Sequence, residues 1–76
     1  MKLRKEKTWQ YETMGTEGNS MLFGVNIFEY EWDFVKKLII NNREIGVYSV
    51  RIGNSDHLFG AQEVSNCVWN FYLLKY

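Results

Sequence analysis

The chain has 76 residues, enough for one small domain, because two independent cores would each be too small to fold without disulfides or metals. Nine Lys and Arg residues balance nine Asp and Glu residues, which excludes a strong global attraction to nucleic acid or to anionic membranes. The single cysteine, Cys67, excludes an internal disulfide, and no apolar segment reaches the length of a bilayer span, so we expect a cytoplasmic protein without a membrane partner.

The N-terminal part combines a basic segment with a first predicted strand. We expect residues 1–7 to be a flexible, solvated terminus; the alternative is a phosphate-contacting arm formed by Lys2, Arg4, Lys5 and Lys7. Residues 8–14 then alternate with a period of two, Trp9 and Tyr11 on one side and Gln10 and Glu12 on the other, which predicts a strand. The glycines of GTEGNS, residues 15–20, predict a loop.

Residues 26–40, NIFEYEWDFVKKLII, are compatible with two structures. Asn26 followed three residues later by Glu29 is a variant of the capping box, which favours a helix. Strict alternation of aromatic with acidic residues over 28–34 favours a strand, and the turn-forming Asn41-Asn42 pair follows it. We therefore favour strands. On such a strand the carboxylates of Glu29, Glu31 and Asp33 would form one acidic row, either solvated or in contact with a protein or a cation.

The C-terminal half predicts an antiparallel meander. Asn41-Asn42 suits a type I′ hairpin turn, GNSD at 53–56 is the next turn, and Ser65-Asn66 is the third. The strand at 43–52 is partly apolar on both faces, which predicts a bulge or cover on two sides. A two-residue last loop would place three pairs opposite each other: Gly60 and Phe71, Gln62 and Trp69, Val64 and Cys67.

These elements predict a mainly β fold. We expect residues 1–76 to form one domain, a small antiparallel β-meander, curled sheet or barrel of five to six strands. The alternative is an α+β domain in which a helix at about 26–40 packs on a three- to four-stranded antiparallel sheet.

Few residues in the sequence are suited to catalysis or metal binding. His57 is the only histidine, and a meander would place it far from Cys67, so a small His-dependent enzyme is an unfavoured alternative. No set of cysteines and histidines suits a structural zinc, and GTEGNS lacks the lysine of a phosphate-binding loop. We therefore expect no catalysis, no metal and no cofactor.

Thirteen aromatic residues are more than so small a core can enclose, so some should meet a partner. The sequence thus predicts a non-catalytic binding module, acting as an adaptor, protein inhibitor or ligand-sequestering protein and forming a homo-oligomer. A single-stranded nucleic-acid-binding β-barrel is the alternative. The candidate binding residues are Trp9, Tyr30, Trp32, Arg51, His57 and Trp69.

Overall fold

A five-stranded antiparallel sheet and one short hairpin make up the fold. The computed structural model describes residues 6–76. The strands are β1 (Thr8–Thr16), β2 (Met21–Leu22), β3 (Val25–Asn26), β4 (Trp32–Ile40), β5 (Arg43–Ile52), β6 (Ser55–Ser65) and β7 (Val68–Lys75), with one 3-10 turn at Ile27–Glu29. The large sheet has the order β1-β7-β6-β5-β4, and β2 pairs with β3. The predicted mainly β meander is confirmed, and the sheet does not close into a barrel.

Two of the three turns that join consecutive strands of the large sheet follow directly from their residues. Asn41 and Asn42 have φ angles of 52° and 65°, the left-handed values that a type I′ turn requires, so this prediction is confirmed. Gly53 has φ of 64°, and the pairing of Ile52 with Ser55 leaves Gly53 and Asn54 as the loop. Asparagine and glycine adopt these angles at little cost, which fixes where β4, β5 and β6 begin and end.

The third turn differs from the prediction by one residue. The loop is Asn66-Cys67, not Ser65-Asn66, with Cys67 at φ 64° and a bulge at Val64. Gly60 therefore lies opposite Tyr72, not Phe71, and the other two predicted pairs are wrong as well. A bulge adds one residue to one strand, so the register beyond it cannot be deduced from loop length alone.

The segment at 26–40 is a short turn followed by a strand, so the helix alternative is wrong. Asn26 does act as a cap, since its side-chain oxygen accepts a hydrogen bond from the Phe28 amide at 3.2 Å. The helical turn ends at Glu29, because from Trp32 onward the backbone pairs with β5. The predicted strand over 28–34 is thus wrong for 28–31 and right from Trp32.

Strand β1 lies at one edge of the sheet, where it pairs with β7. A bulge at Glu12 interrupts its alternation: Trp9 and Tyr11 share one face, and Thr13 lies on the other. The strand is confirmed, but the period-two alternation predicted for residues 8–14 holds only as far as Tyr11. The sequence does not indicate the bulge.

Apolar side chains are buried on both faces of the sheet. The hairpin face is covered by the β2–β3 hairpin and the 3-10 turn, and its core consists of Leu22, Ile27, Val50, Phe59, Ala61 and Phe71. On the opposite face Ile45 and Val47 are fully buried, and Trp9 lies over Gly60 together with Ile45 and Tyr72. This confirms that the strand at 43–52 is covered on two sides.

Candidate functional site

The sheet divides into two branches between β6 and β7. The β6–β7 ladder runs from the turn to Gly60 and Tyr72 and stops there. Beyond that pair, residues 55–59 are in register with β5, and residues 73–75 are in register with β1. The start of β6 and the end of β7 therefore separate, which leaves a fork in the sheet.

A cleft of about 320 Å³ lies in this fork, a volume at the small end of known ligand sites. Its walls come from both branches and from the tip of the β2–β3 hairpin. They consist of Lys7, Phe23, Asp56, His57, Leu58, Leu73 and Leu74. The cleft thus combines an apolar body with cationic, acidic and imidazole groups.

The polar side of the cleft is arranged around His57. Phe23 has φ of 56° in the tight turn between β2 and β3, and its ring lies over the imidazole with centroids 4.7 Å apart. Beside it, the Asp56 carboxylate accepts a hydrogen bond from the Arg51 Nε–H at 3.1 Å, across the β5–β6 ladder. The Lys7 ammonium lies 5.2 Å from the centroid of the Tyr76 ring. The acid is therefore already paired, whereas Lys7 faces an aromatic ring.

Sequence reasoning found only part of this cleft. It selected His57, which lines the cleft, and Arg51, which lies on β5 and pairs with the lining residue Asp56 but does not line the cleft itself. It missed Phe23. The signal that could have indicated this residue is its neighbour Gly24, a turn-forming residue that has φ of 79° in the same tight turn. Leu73 and Leu74 carry no signal, because their place in the cleft depends on where a long-range ladder stops.

Two candidate binding residues, Trp32 and Trp69, lie together on the hairpin face. Their ring centroids are 5.7 Å apart, and both rings are half-buried. The Trp32 Nε1–H donates to the Ile27 carbonyl at 2.8 Å, and the Trp69 Nε1–H donates to the Glu17 carboxylate at 3.3 Å. The structure thus places these two rings within the packing, away from the cleft.

The remaining aromatic candidates are separate from each other and from the cleft. Trp9 is half-buried on the opposite face, where its ring passes over Gly60. Tyr30 lies at the surface, 36% exposed, just after the 3-10 turn. The six candidates therefore do not form a single site.

The acidic residues at 29–33 do not form a row along one strand. Glu29 ends the 3-10 turn, Glu31 lies between elements, and Asp33 is on β4. All three are exposed, and none forms an ion pair with any residue that the structure describes. The row as predicted is wrong, because the strand begins only at Trp32.

Changing Glu29 and Glu31 together to serine is expected to alter the free energy of unfolding by less than about 0.5 kcal/mol per site. Both carboxylates are solvated, so their removal breaks no buried contact. Urea denaturation followed by tryptophan fluorescence measures the difference. A loss above about 2 kcal/mol would mean that these acids stabilise the fold through a contact, contrary to the exposed placement.

His57 and Cys67 lie at opposite ends of the β6–β7 hairpin, as the sequence predicted. His57 is near the start of β6, and Cys67 is an exposed free thiol in the turn after its end. Across residues 6–76, no group of three or more His, Cys, Asp or Glu side chains is arranged to hold a metal ion. The same residues contain no helix with the length and hydropathy for crossing a membrane.

The cations of the predicted phosphate-contacting arm lie mainly outside the described residues, since Lys2, Arg4 and Lys5 precede them. Several other cations are close to acids. Lys37 lies 3.9 Å from Glu44, and the Lys75 ammonium pairs with Glu12. The nucleic-acid alternative stays a prediction.

The fold and the cleft define this chain as a small, open, antiparallel β protein with a forked sheet. Comparison with family models, with curated proteins and with solved structures finds no match for it.

Proposed function

We propose that the chain is a non-catalytic binding module that captures a small amphipathic anion in the cleft of the forked sheet. The observation that carries this proposal is the presence of both His57 and Lys7 in the lining of an open, partly apolar cleft of about 320 Å³. Of the functions predicted from the sequence, this one corresponds to the ligand-sequestering protein.

The polar groups of the cleft favour a ligand with a negatively charged head. The Asp56 carboxylate is paired with Arg51, which leaves the Lys7 ammonium and an imidazole N–H of His57 as donors for an incoming carboxylate. The apolar walls are Leu58, Leu73 and Leu74, of which Leu58 is 47% exposed. Burial of such side chains against an alkyl chain is favourable at roughly 25 cal/mol per Å².

The composition of the cleft supports binding in preference to catalysis. A hydroxyl or thiol nucleophile that is activated by a histidine must lie within hydrogen-bond reach of that base. The seven lining residues include no serine, threonine or cysteine, and the His57 ring packs against the Phe23 ring at an interplanar angle of 32°. The small His-dependent enzyme therefore gains no support.

Two further parts of the proposal concern assembly and setting. Exposed apolar side chains, among them Tyr11, Met14 and Leu58, support the predicted homo-oligomer. A reducing, cytoplasmic setting is supported by Cys67, an exposed free thiol that an oxidising compartment would tend to modify.

Titration with octanoate is expected to shift the amide resonances of His57, Leu58, Leu73 and Leu74 in ¹H–¹⁵N NMR spectra. Octanol and octylamine serve as matched probes with the same chain but no negative charge. Lys7→Met and His57→Leu should each weaken octanoate binding by about tenfold, since each removes an N–H donor for the carboxylate. Glu63→Gln, at the far end of β6, should leave it unchanged.

Two results would contradict the proposal. One is the absence of shifts at the cleft residues with octanoate up to about 10 mM, because a dissociation constant above that concentration is too weak for ligand capture. The other is an equal response to octanol, octylamine and octanoate, which would mean nonspecific apolar contact.

A further inference from the structure

Strand β4 is the second edge of the large sheet, and no strand within residues 6–76 pairs with the backbone groups on its outer side. Its partner among the described residues is β5 alone. Three of its apolar side chains are well exposed: Phe34 at 59%, Val35 at 48% and Ile39 at 66%. An exposed apolar edge strand is a template on which another strand can pair.

The charges of β4 are arranged so that the strand complements itself. Asp33 lies opposite Ser49, and Lys36 lies opposite Val47, two residues that share one face of β5. Residues three apart on a regular strand face opposite sides, but the bulge at Val35 places Asp33 and Lys36 on the same side. Neither of the two forms an ion pair with another described residue.

We propose that a second copy of this chain pairs antiparallel with β4, about a two-fold axis that passes between Phe34 and Val35. In this register Asp33 of each copy lies opposite Lys36 of the other, so that one two-fold contact contains two opposite-charge pairs. Because the faces of the two sheets are continuous across such an axis, both pairs lie on the same face. The inference rests on the homo-oligomer part of the proposed function and not on the cleft.

Other registers and the other edge fit less well. A two-fold axis at Lys36 would place two lysines directly opposite each other, which is destabilising. On β1, the carboxylate of Glu12 lies at the bulge and is already paired with Lys75. Each copy of β4 contains one bulge, and together the two bulges divide the new ladder into two short segments. In each segment Trp32 of one copy lies opposite Lys37 of the other, and Asp33 lies opposite Lys36.

Charge reversal tests the register directly. Asp33→Lys alone and Lys36→Asp alone each convert both pairs to like charges, so each should raise the dimer dissociation constant at least about tenfold. The double variant Asp33→Lys/Lys36→Asp restores opposite charges and should recover the dimer. Sedimentation velocity over a concentration series measures each constant, and circular dichroism verifies that every variant is folded.

Mixing the two single variants provides the sharpest result. An Asp33→Lys chain opposite a Lys36→Asp chain has opposite charges at both pairs, so the mixture should form heterodimers that neither variant forms with itself. Glu63→Lys, an exposed charge reversal on β6, is the control and should leave the dimer intact. A wild-type chain that stays monomeric would overturn the dimer, and a dimer indifferent to all these reversals would overturn this interface while leaving a homo-oligomer.

Discussion

Replacing Trp32 by alanine is expected to lower the free energy of unfolding by about 3–5 kcal/mol. Its ring centroid lies 5.0 Å from that of Phe59 and 5.3 Å from that of Tyr48, in edge-on and tilted arrangements that aromatic pairs prefer. The change would also leave the Ile27 carbonyl without the indole N–H that now donates to it at 2.8 Å. A loss of this size is a large share of the stability of a domain of 76 residues.

Urea denaturation at low chain concentration, followed by circular dichroism, measures the effect as a two-state transition. Trp32→Phe separates the two contributions, since it keeps an aromatic ring but removes the hydrogen bond, and it should cost clearly less than alanine. Tyr30→Ala is the matched control, because Tyr30 is an aromatic residue two positions earlier that lies at the surface. Similar small losses for Trp32→Ala and Tyr30→Ala would contradict the place of Trp32 in the packing.

Local turn chemistry explains why the meander could be predicted from the sequence. Asn41, Asn42 and Gly53 adopt left-handed angles that few other residues tolerate, so they mark turns without reference to the rest of the chain. The distribution of apolar residues along β5 likewise indicates a strand covered on two faces. Both signals arise within about ten residues, where the sequence directly restricts the backbone.

Bulges explain most of what the sequence could not predict. Glu12, Val35 and Val64 each add a residue to one strand, and each reverses the faces of the residues beyond it. None of the three is a glycine or proline, so nothing in the local pattern marks them. The one-residue register error between β6 and β7 and the lost alternation in β1 both follow from this.

The cleft could not be predicted for a different reason. Its walls require that β1, and not β6, be in register with the end of β7, a pairing of residues more than sixty positions apart. His57 was a candidate because it is the only histidine in the sequence. No feature of the sequence indicated that it would line a cleft. The same holds for the aromatic residues. The sequence identifies Trp32 and Trp69 as large apolar groups, but only the folded structure shows that they pack on the hairpin face.

The loop after β1, residues 17–20, holds the β2–β3 hairpin over the core, and Ser20 is its central contact. The loop predicted over residues 15–20 thus begins two residues later, because Gly15 and Thr16 still pair with β7. Ser20 is 4% exposed, and its hydroxyl donates to the Thr16 carbonyl at 2.8 Å. Its amide donates to the Asn26 side chain at 3.1 Å, and its carbonyl accepts from the Ile27 amide at 2.9 Å. These bonds fix the β2–β3 hairpin relative to the end of β1, where Ser20 lies close against Gly15. The position of the hairpin over the core of the hairpin face therefore depends on this close approach.

Gly15→Ala is expected to lower the free energy of unfolding by about 1–3 kcal/mol through overpacking. An added Cβ would lie 2.0 Å from the Ser20 Oγ and 2.7 Å from the Ser20 Cβ, so rotation of the hydroxyl alone cannot relieve the overlap. The loop must move, and the hydrogen bonds of Ser20 must lengthen with it.

A double-mutant cycle with Ser20→Gly distinguishes this overlap from a general preference for glycine. Ser20→Gly removes both close atoms and leaves its Cα at 3.4 Å from the added Cβ, an ordinary contact distance. Gly15→Ala should therefore cost much less in the Ser20→Gly chain than in the wild type, with a coupling free energy of about 0.5–3 kcal/mol. Gly18→Ala is the control: Gly18 has φ of 87° and open space around it, so its cost is backbone strain that Ser20→Gly cannot relieve. Additive effects of Gly15→Ala and Ser20→Gly in urea denaturation would contradict the close approach and the role of Ser20 in holding the hairpin on the core.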